Sequence, residues 1–158
     1  MEAKIKDSGE RAEFSTGAVR DIQKGKGRCD LMPLDVVAVY LADDNGREDK
    51  VLDCIYRFQQ TGTGTFLLDA LLDFCSKRGW DSKTMLLEVS KHFEEGAEKY
   101  GENNWQKGLP VSCHINSAVR HYLEWLRGDD DEPHDRALCW NVICCAWTVR
   151  HKPEVEEA

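Results

Sequence analysis

Apolar residues recur at intervals of three or four positions along most of this 158-residue chain. The clearest example lies between positions 86 and 100, where the stripe consists of Leu86, Val89, Phe93, Ala97 and Tyr100. This spacing buries one face of a helix, whereas strands alternate apolar and polar residues, and no alternating run of useful length is present. The pattern predicts an all-α fold, a single-domain bundle of about five or six helices without internal repeats.

Turn and capping residues separate the predicted helices. The first follows Pro33 and carries the apolar segment 34–41, the second covers 49–59, and the third covers 66–77. Asp81 or Ser82 is expected to cap the central helix, which should end at Gly101. Ser112 is expected to cap the next helix, and Pro133 to occupy the first position of the last one.

The composition indicates the cellular compartment and excludes some classes of binding partner. The formal net charge of −8 argues against general nucleic-acid binding, which needs clustered Lys and Arg. No apolar run is long enough for a membrane span, and the first residues lack the apolar core of a signal peptide. The seven cysteines are an odd number and form a poor disulfide framework. A cytoplasmic protein is predicted.

The N-terminal region divides into a tail and a basic loop. Residues 1–12 are polar without periodicity and are predicted to be a flexible tail, with residues 13–158 forming the single domain. Four cations then fall within nine positions, Arg20, Lys24, Lys26 and Arg28, and Gly17, Gly25 and Gly27 lie among or just before them. Such a basic Gly-rich loop is typical of phosphate binding, and a flexible basic connector is the alternative.

Two pairs of carboxylates have a spacing suited to a divalent cation. Glu95 and Glu98 are three residues apart on the central helix, and Glu132 and Asp135 repeat the spacing at the start of the last helix. Mg²⁺ is bound through one or two carboxylates, water and substrate phosphates, so these four residues are the predicted metal ligands. The alternatives are a solvated helix surface for the first pair and favourable charge at a helix N-terminus for the second.

Further residues suit the binding of a nucleotide. Asn104 and Trp105 follow the central helix and are candidates for holding a nucleobase. His121 and His134 are candidate catalytic residues that could orient a phosphate or transfer a proton, and each could equally be a buried structural histidine. His134 followed by Asp135 also invites comparison with HD-type phosphohydrolases, which would need a further upstream histidine such as His92 or His121.

Six short motifs resemble a known family. They are Thr16-Gly-Ala-x-Arg-Asp, Gly25-Lys-x-Arg-x-Asp-Leu-x-Pro, Gly96-Ala-x-Lys-Tyr-Gly-x-x-Asn-Trp, Ser117-Ala-x-Arg-His, Gly128-x-x-Asp-Glu-x-His and Trp140-Asn. In this order, from Phe14 to Asn141, they resemble the phage family of the dATP/dGTP diphosphohydrolase N-terminal domain. Its pairs of carboxylates resemble the metal-binding pattern of the all-α, MazG-like pyrophosphohydrolases, which use Mg²⁺. Relative to the compact form of that family, residues 43–80 are predicted to be an insertion.

The resemblance implies Mg²⁺-dependent hydrolysis of a purine deoxynucleoside triphosphate to the monophosphate and pyrophosphate. Lys99 and Arg120 join the basic loop as expected phosphate ligands, and Tyr100 and Asn141 join Asn104 and Trp105 for the base. MazG-like enzymes place their site between subunits, so a homo-oligomer, a dimer or larger, is expected. The alternatives are a protein that binds nucleotide without cleaving it, an HD-type phosphohydrolase, and a structural helical protein without a nucleotide.

Overall fold

In a computed structural model, residues 3–155 are described, and they form a helical bundle with one small sheet. The helices are α1 (Leu34–Tyr40), α2 (Lys50–Thr61), α3 (Thr65–Arg78), α4 (Ser82–Tyr100), α5 (Val111–Arg127) and α6 (His134–His151). Single 3₁₀ turns cover Cys29–Leu31 and Asn104–Lys107. This architecture confirms the predicted all-α class. Within residues 3–155, no helix combines the length and apolar character needed to cross a bilayer.

The antiparallel pair of strands β1 (Arg11–Glu13) and β2 (Val19–Asp21) was not predicted. Each strand has only three residues, too few for an alternating pattern to stand out in the sequence. The pairing places Arg11 opposite Asp21 and Glu13 opposite Val19. The sheet therefore connects the segment predicted as a tail to the basic loop.

Capping was predicted correctly for the central helix and incorrectly for α5. The Asp81 side chain accepts a hydrogen bond from the Thr84 backbone N–H at 2.8 Å, so Asp81 is the N-cap of α4. Pro110 is the N-cap of α5, and Ser112 is the second residue inside that helix rather than its cap. Pro133 lies at the N-cap of α6, one position before the predicted one.

The core is formed mainly where α5 and α6 pack together, where α3 packs on α6, and where α2 packs on α3. Its buried apolar side chains include Leu52, Ile55, Leu67, Phe74, Ile115, Val119, Leu138, Val142 and Cys145. Several predicted core positions are instead exposed, including Val36 on α1, Leu68 and Leu72 on α3, and Leu86 on α4. At the start of α4 the helix turns Met85 inward, and Leu86 is therefore 55% exposed.

A buried polar group joins three of the helices. The Asp49 carboxylate caps α2 by accepting from the Leu52 N–H at 3.0 Å, and it also accepts from the Tyr122 hydroxyl and from Lys77 at 3.1 Å. Burial, followed by this hydrogen bond to Asp49, raises the pKa of Tyr122. The contact fixes α5, and with it the residues that α5 presents to the cavity described next, relative to α2 and α3.

Candidate functional site

A cavity of about 590 Å³ opens between β2, α4, α5, α6 and the N-terminal segment, residues 5–8. This volume lies in the range of small-molecule sites. One wall is aromatic and contains His92, Phe93, Trp105 and Trp140. The lining also includes Arg20, Arg120 and several carboxylates. The cavity therefore combines an apolar surface with concentrated charge of both signs.

The 3₁₀ turn after α4 holds β2 against the cavity. The Asn104 side chain accepts from the Val19 N–H at 2.8 Å and donates to the Val19 carbonyl at 2.7 Å, in the manner of a strand partner. One step along β2, the Asp21 N–H donates to the Tyr100 hydroxyl at 3.0 Å. Arg20 lies between these two anchored residues, and its side chain consequently enters the cavity wall.

Arg20 and Arg120 form a guanidinium pair with unused donors. Arg20 Nη2 donates to Ser117 Oγ at 2.7 Å and to Asn141 Oδ1 at 2.9 Å, while its Nη1 is buried without a partner. Arg120 Nη2 donates to Gln23 at 3.3 Å, and Arg120 Nη1 is likewise buried and unpartnered. Burial lowers the pKa of Arg20, and the charge of Arg120 adds to this effect. A bound anion would satisfy both cations.

The other cations predicted to bind phosphate fall into two groups. Lys26 and Lys99 also line the cavity, where Lys26 lies 3.2 Å from Asp21 and Lys99 donates to the Lys6 carbonyl at 2.6 Å. Lys24 is exposed and is not part of the cavity wall. Arg28 pairs with Asp30 through two hydrogen bonds of 2.8 Å and borders a separate groove. The basic loop thus contributes mainly Arg20 and Lys26.

Beside the guanidinium pair lies an acid–histidine cluster, formed by His121, Glu124, Asp131, Glu132 and His134. Two overlapping sets of residues bring their ligand atoms within 4.8 Å of one another. The first set is His121, Glu132 and His134, and the second is Glu124, Asp131, Glu132 and His134. The cluster joins the end of α5 to the start of α6. Carboxylate oxygens and imidazole nitrogens are both common metal ligands, so the cluster can hold a divalent cation.

Hydrogen bonds within the cluster assign the histidine tautomers. His134 Nε2 lies 2.8 Å from Asp131 Oδ1, and His134 Nδ1 lies 2.8 Å from His121 Nδ1. If His134 is neutral, it donates to Asp131 through Nε2, and its Nδ1 accepts from His121. His121 Nε2 then keeps a free lone pair. Burial and the charge of Arg120 lower the pKa of His121 well below its ordinary value, which favours a neutral His121 ring.

The N-terminal segment, predicted as part of a flexible tail, lies across this cluster. The Lys6 N–H donates to Glu132 Oε1 at 2.9 Å, and Lys6 Nζ lies 2.5 Å from Asp131 Oδ2. Hydrogen bonds from Lys6 and then from His134 hold the pKa of Asp131 below its ordinary value. The ammonium group of Lys6 therefore lies where a metal ion would approach Asp131.

The structure separates the four predicted metal ligands. Glu132 belongs to the acid–histidine cluster. Glu95 instead pairs with the buried Arg136 at 2.9 Å, and Glu98 on the next turn of α4 is exposed. Asp135 lies 3.1 Å from Arg78 on α3. Neither Glu95, Glu98 nor Asp135 belongs to a candidate metal group among the described residues.

A comparison with protein-family models matches residues 67–158 to a family described as "dATP/dGTP diphosphohydrolase, N-terminal". This match covers more than half of the chain. The chain belongs to this family. Searches among curated proteins and among solved structures each found no match. The family match confirms the resemblance seen in the motifs, and the family's description identifies a diphosphohydrolase.

The match to the dATP/dGTP diphosphohydrolase N-terminal family begins at Leu67, inside the segment 43–80 that we predicted to be an insertion. The basic loop and β2, which supply Arg20, lie outside the matched residues. Of the guanidinium pair, Arg20 therefore lies outside the matched residues and Arg120 lies within them. The whole acid–histidine cluster lies within the match.

Glu124 and Asp131 were not among the predicted metal ligands, although the sequence contains a signal for Glu124. Glu124 follows His121 by three positions, a spacing that places both side chains on the same helix face. Asp131 is part of the acidic run before Pro133, where the backbone direction cannot be read from periodicity. The structure also adds Gln23, Ser117 and Trp140 to the residues around the cavity.

The buried histidines make stability depend on pH. Burial lowers the pKa of His114 to about 3, below its unfolded value of 6.5. Between these values only the unfolded chain binds the proton, so the contribution to stability is complete above pH 6.5 and is lost as the pH falls. We expect urea unfolding of the wild type to lose about 2 kcal/mol more than unfolding of His114→Gln between about pH 7 and about pH 5. Equal losses would contradict a neutral, buried His114.

Proposed function

We propose that the chain hydrolyses a purine deoxynucleoside triphosphate to the monophosphate and pyrophosphate with the help of a divalent cation. One observation carries this proposal, namely that two incompletely partnered guanidinium groups line the same cavity as the acid–histidine cluster, of which His121, Glu124, Asp131 and Glu132 reach the cavity wall. A triphosphate needs both features, because cations neutralise its oxygens and a metal ion completes their coordination. The family match supports the same class of substrate.

In this proposal the guanidinium pair binds phosphate oxygens. Arg20 Nη1 and Arg120 Nη1 are the donors left free by the protein, and their burial strengthens a charge-assisted hydrogen bond. Lys26 and Lys99 add charge at the wall, so four of the six predicted phosphate ligands remain in the proposal. The like charges of Arg20 and Arg120 favour an anion here, while Glu124 lies 3.6 Å from Nε of Arg120 on one side of the pair.

The carboxylates of Glu124, Asp131 and Glu132 fit a divalent cation. Their oxygens match the preference of Mg²⁺ and also suit Mn²⁺, and His121 is reserved for the proton transfer described next. When bound, such an ion supplies charge neutralisation and polarises phosphate oxygens. Lys6 shares Asp131 with this site, so its ammonium must leave Asp131 when that carboxylate binds a cation.

The reaction that we propose breaks the bond between the α-phosphorus and its bridging oxygen. The oxygen of a water molecule forms the new bond to the α-phosphorus, and pyrophosphate leaves with the bridging oxygen. The water proton passes to the free lone pair of His121 Nε2, whose orientation is fixed by the chain from His121 through His134 to Asp131. Burial and then the charge of Arg120 lower the pKa of His121, and the phosphate groups of the substrate would oppose the effect of Arg120.

A second candidate activity, of the HD type, would release the nucleoside and the intact triphosphate. The adjacency of His121 and His134 favours it. The position of Asp135 argues against an HD-type activity, because its carboxylate pairs with Arg78 and lies outside the acid–histidine cluster. Binding of nucleotide without hydrolysis is a third candidate, for which the guanidinium pair and the aromatic wall would suffice.

A product assay tests these proposals. The purified protein is incubated with each of the four dNTPs in Mg²⁺, in Mn²⁺ and in EDTA, and the products are resolved by ion-exchange chromatography. We expect dAMP and dGMP, each with pyrophosphate, only in the tubes that contain a metal ion. A nucleoside with triphosphate would establish the HD-type activity. Intact nucleotide in every tube, together with a higher melting temperature, would establish binding without hydrolysis.

Homo-oligomer formation also belongs to the proposal. Four leucines on α3 and α4 are more than half exposed, namely Leu68, Leu72, Leu86 and Leu87. Exposed apolar side chains on neighbouring helices support a contact with a second copy, since removing them from water is favourable.

A further inference from the structure

The side chains predicted to recognise the base already have partners within the protein. The amide of Asn104 is occupied on both sides by Val19. Asn141 accepts from Arg20 and donates to the Ala137 carbonyl at 2.8 Å, and the Tyr100 hydroxyl accepts from Asp21. These contacts use much of the hydrogen-bonding capacity of the three groups to hold the cavity wall together, and they favour other side chains as the contacts to a base.

Two polar groups in the aromatic wall have no partner. Nδ1 of His92 and Nε1 of Trp140 are both buried, and neither makes a hydrogen bond within the part of the chain that the structure describes. His92 is 7% exposed, and its ring centroid lies 5.4 Å from that of Trp140. Both residues line the cavity together with Phe93 and Trp105. A buried polar group without a partner costs free energy, which a ligand would recover.

We propose that this pair reads the purine base, with Trp140 donating to N7 and His92 contacting the substituent at position 6. The inference rests on the proposed function, which supplies the nucleotide. Trp140 Nε1 can only donate, and both purines present N7 as an acceptor. A neutral imidazole nitrogen can donate or accept, depending on the tautomer. His92 therefore accepts from the amino group of adenine or donates to the oxygen of guanine.

The surroundings of His92 suit this adaptable role. Burial, and then the charges of Arg136 and Arg20, lower the pKa of His92 to about 3. The ring is consequently neutral at physiological pH and can present either tautomer. Pyrimidines have no N7, so the pair admits both purines and leaves Trp140 without an acceptor when a pyrimidine is bound. Phe93 and Trp105 provide apolar contact for either purine.

The test compares nucleotides that differ only at position 7. Binding of α,β-methylene-dATP and of its 7-deaza analogue, in which a C–H replaces N7, is measured by calorimetry on the full chain with Mg²⁺. We expect the 7-deaza analogue to bind about tenfold more weakly, since it leaves the Trp140 donor buried and unpaired. The guanine pair of analogues should show the same ratio. Equal affinities would overturn the proposal.

A variant assigns the effect to Trp140. Trp140→Phe keeps an aromatic ring and removes the donor, so its affinities for the two adenine analogues should become equal. A tenfold ratio that persists in a folded Trp140→Phe, as checked by its melting temperature, would overturn the assignment. Failure of the variant to fold leaves the wild-type comparison decisive by itself.

These measurements do not depend on turnover. A protein that prefers N7-containing analogues but releases no pyrophosphate from dATP or dGTP would support the base contact and contradict the proposed hydrolysis. Hydrolysis of dATP and 7-deaza-dATP with equal KM would support the proposed function and contradict the base contact.

Discussion

Glu132→Gln is expected to lower metal-dependent turnover of dATP about 100-fold or more, because the variant removes a charge that both candidate metal sets share. Glutamine keeps an oxygen that can accept from the Lys6 N–H, so the N-terminal segment can retain that contact. Initial rates measured against Mg²⁺ concentration should show a weaker metal dependence as well as a lower maximum. Melting temperatures without metal check that the fold is intact.

The same substitution at Glu98 decides between two locations for the metal. The spacing of Glu95 and Glu98 predicts a site on α4, whereas the structure gathers carboxylates and histidines between α5 and α6. Glu98→Gln and Glu132→Gln remove the same charge and are assayed side by side. Loss of turnover in Glu98→Gln with normal turnover in Glu132→Gln would contradict our assignment and return the metal to α4.

The sequence was most informative about helices and least informative about what each helix faces. Intervals of three and four residues located α2, α3 and α4 within two residues of their observed ends. The same periodicity placed Leu86 in the core, although the start of α4 buries Met85 in its place. A periodic pattern defines a stripe, but the packing of other helices decides which side of that stripe is covered.

The candidate site shows a similar limit. Glu95 and Glu98 lie on one helix, as their spacing predicts, but Arg136 on α6 engages the carboxylate of Glu95. His121 and His134 are thirteen positions apart and meet only because α5 and α6 pack together. Arg20 and Arg120 are joined by the docking of β2, which depends on Asn104. Such partners come from tertiary contacts, which local spacing cannot specify.

Glu95→Gln is expected to destabilise the fold by about 3 kcal/mol, because it leaves the buried guanidinium of Arg136 without its counter-charge. Arg136 is 2% exposed at its side chain, its Nη2 lies 2.9 Å from Glu95, and its Nε has no partner. Urea unfolding in EDTA measures this effect apart from any metal. Glu98→Gln is the matched control on the same helix and should change stability by less than about 0.5 kcal/mol.

A double variant separates the loss of a pair from the loss of a contact. Replacing both partners, as Glu95→Leu with Arg136→Met, removes the two charges together and should recover most of the stability lost in Glu95→Gln. The recovery is expected because neither change then leaves an uncompensated buried charge. A double variant as unstable as Glu95→Gln would show that the Glu95 carboxylate stabilises the fold through other contacts, such as its acceptance of the Ile5 N–H at 3.2 Å. Unchanged stability in Glu95→Gln would instead free Glu95 for the metal-binding role that its spacing with Glu98 predicts.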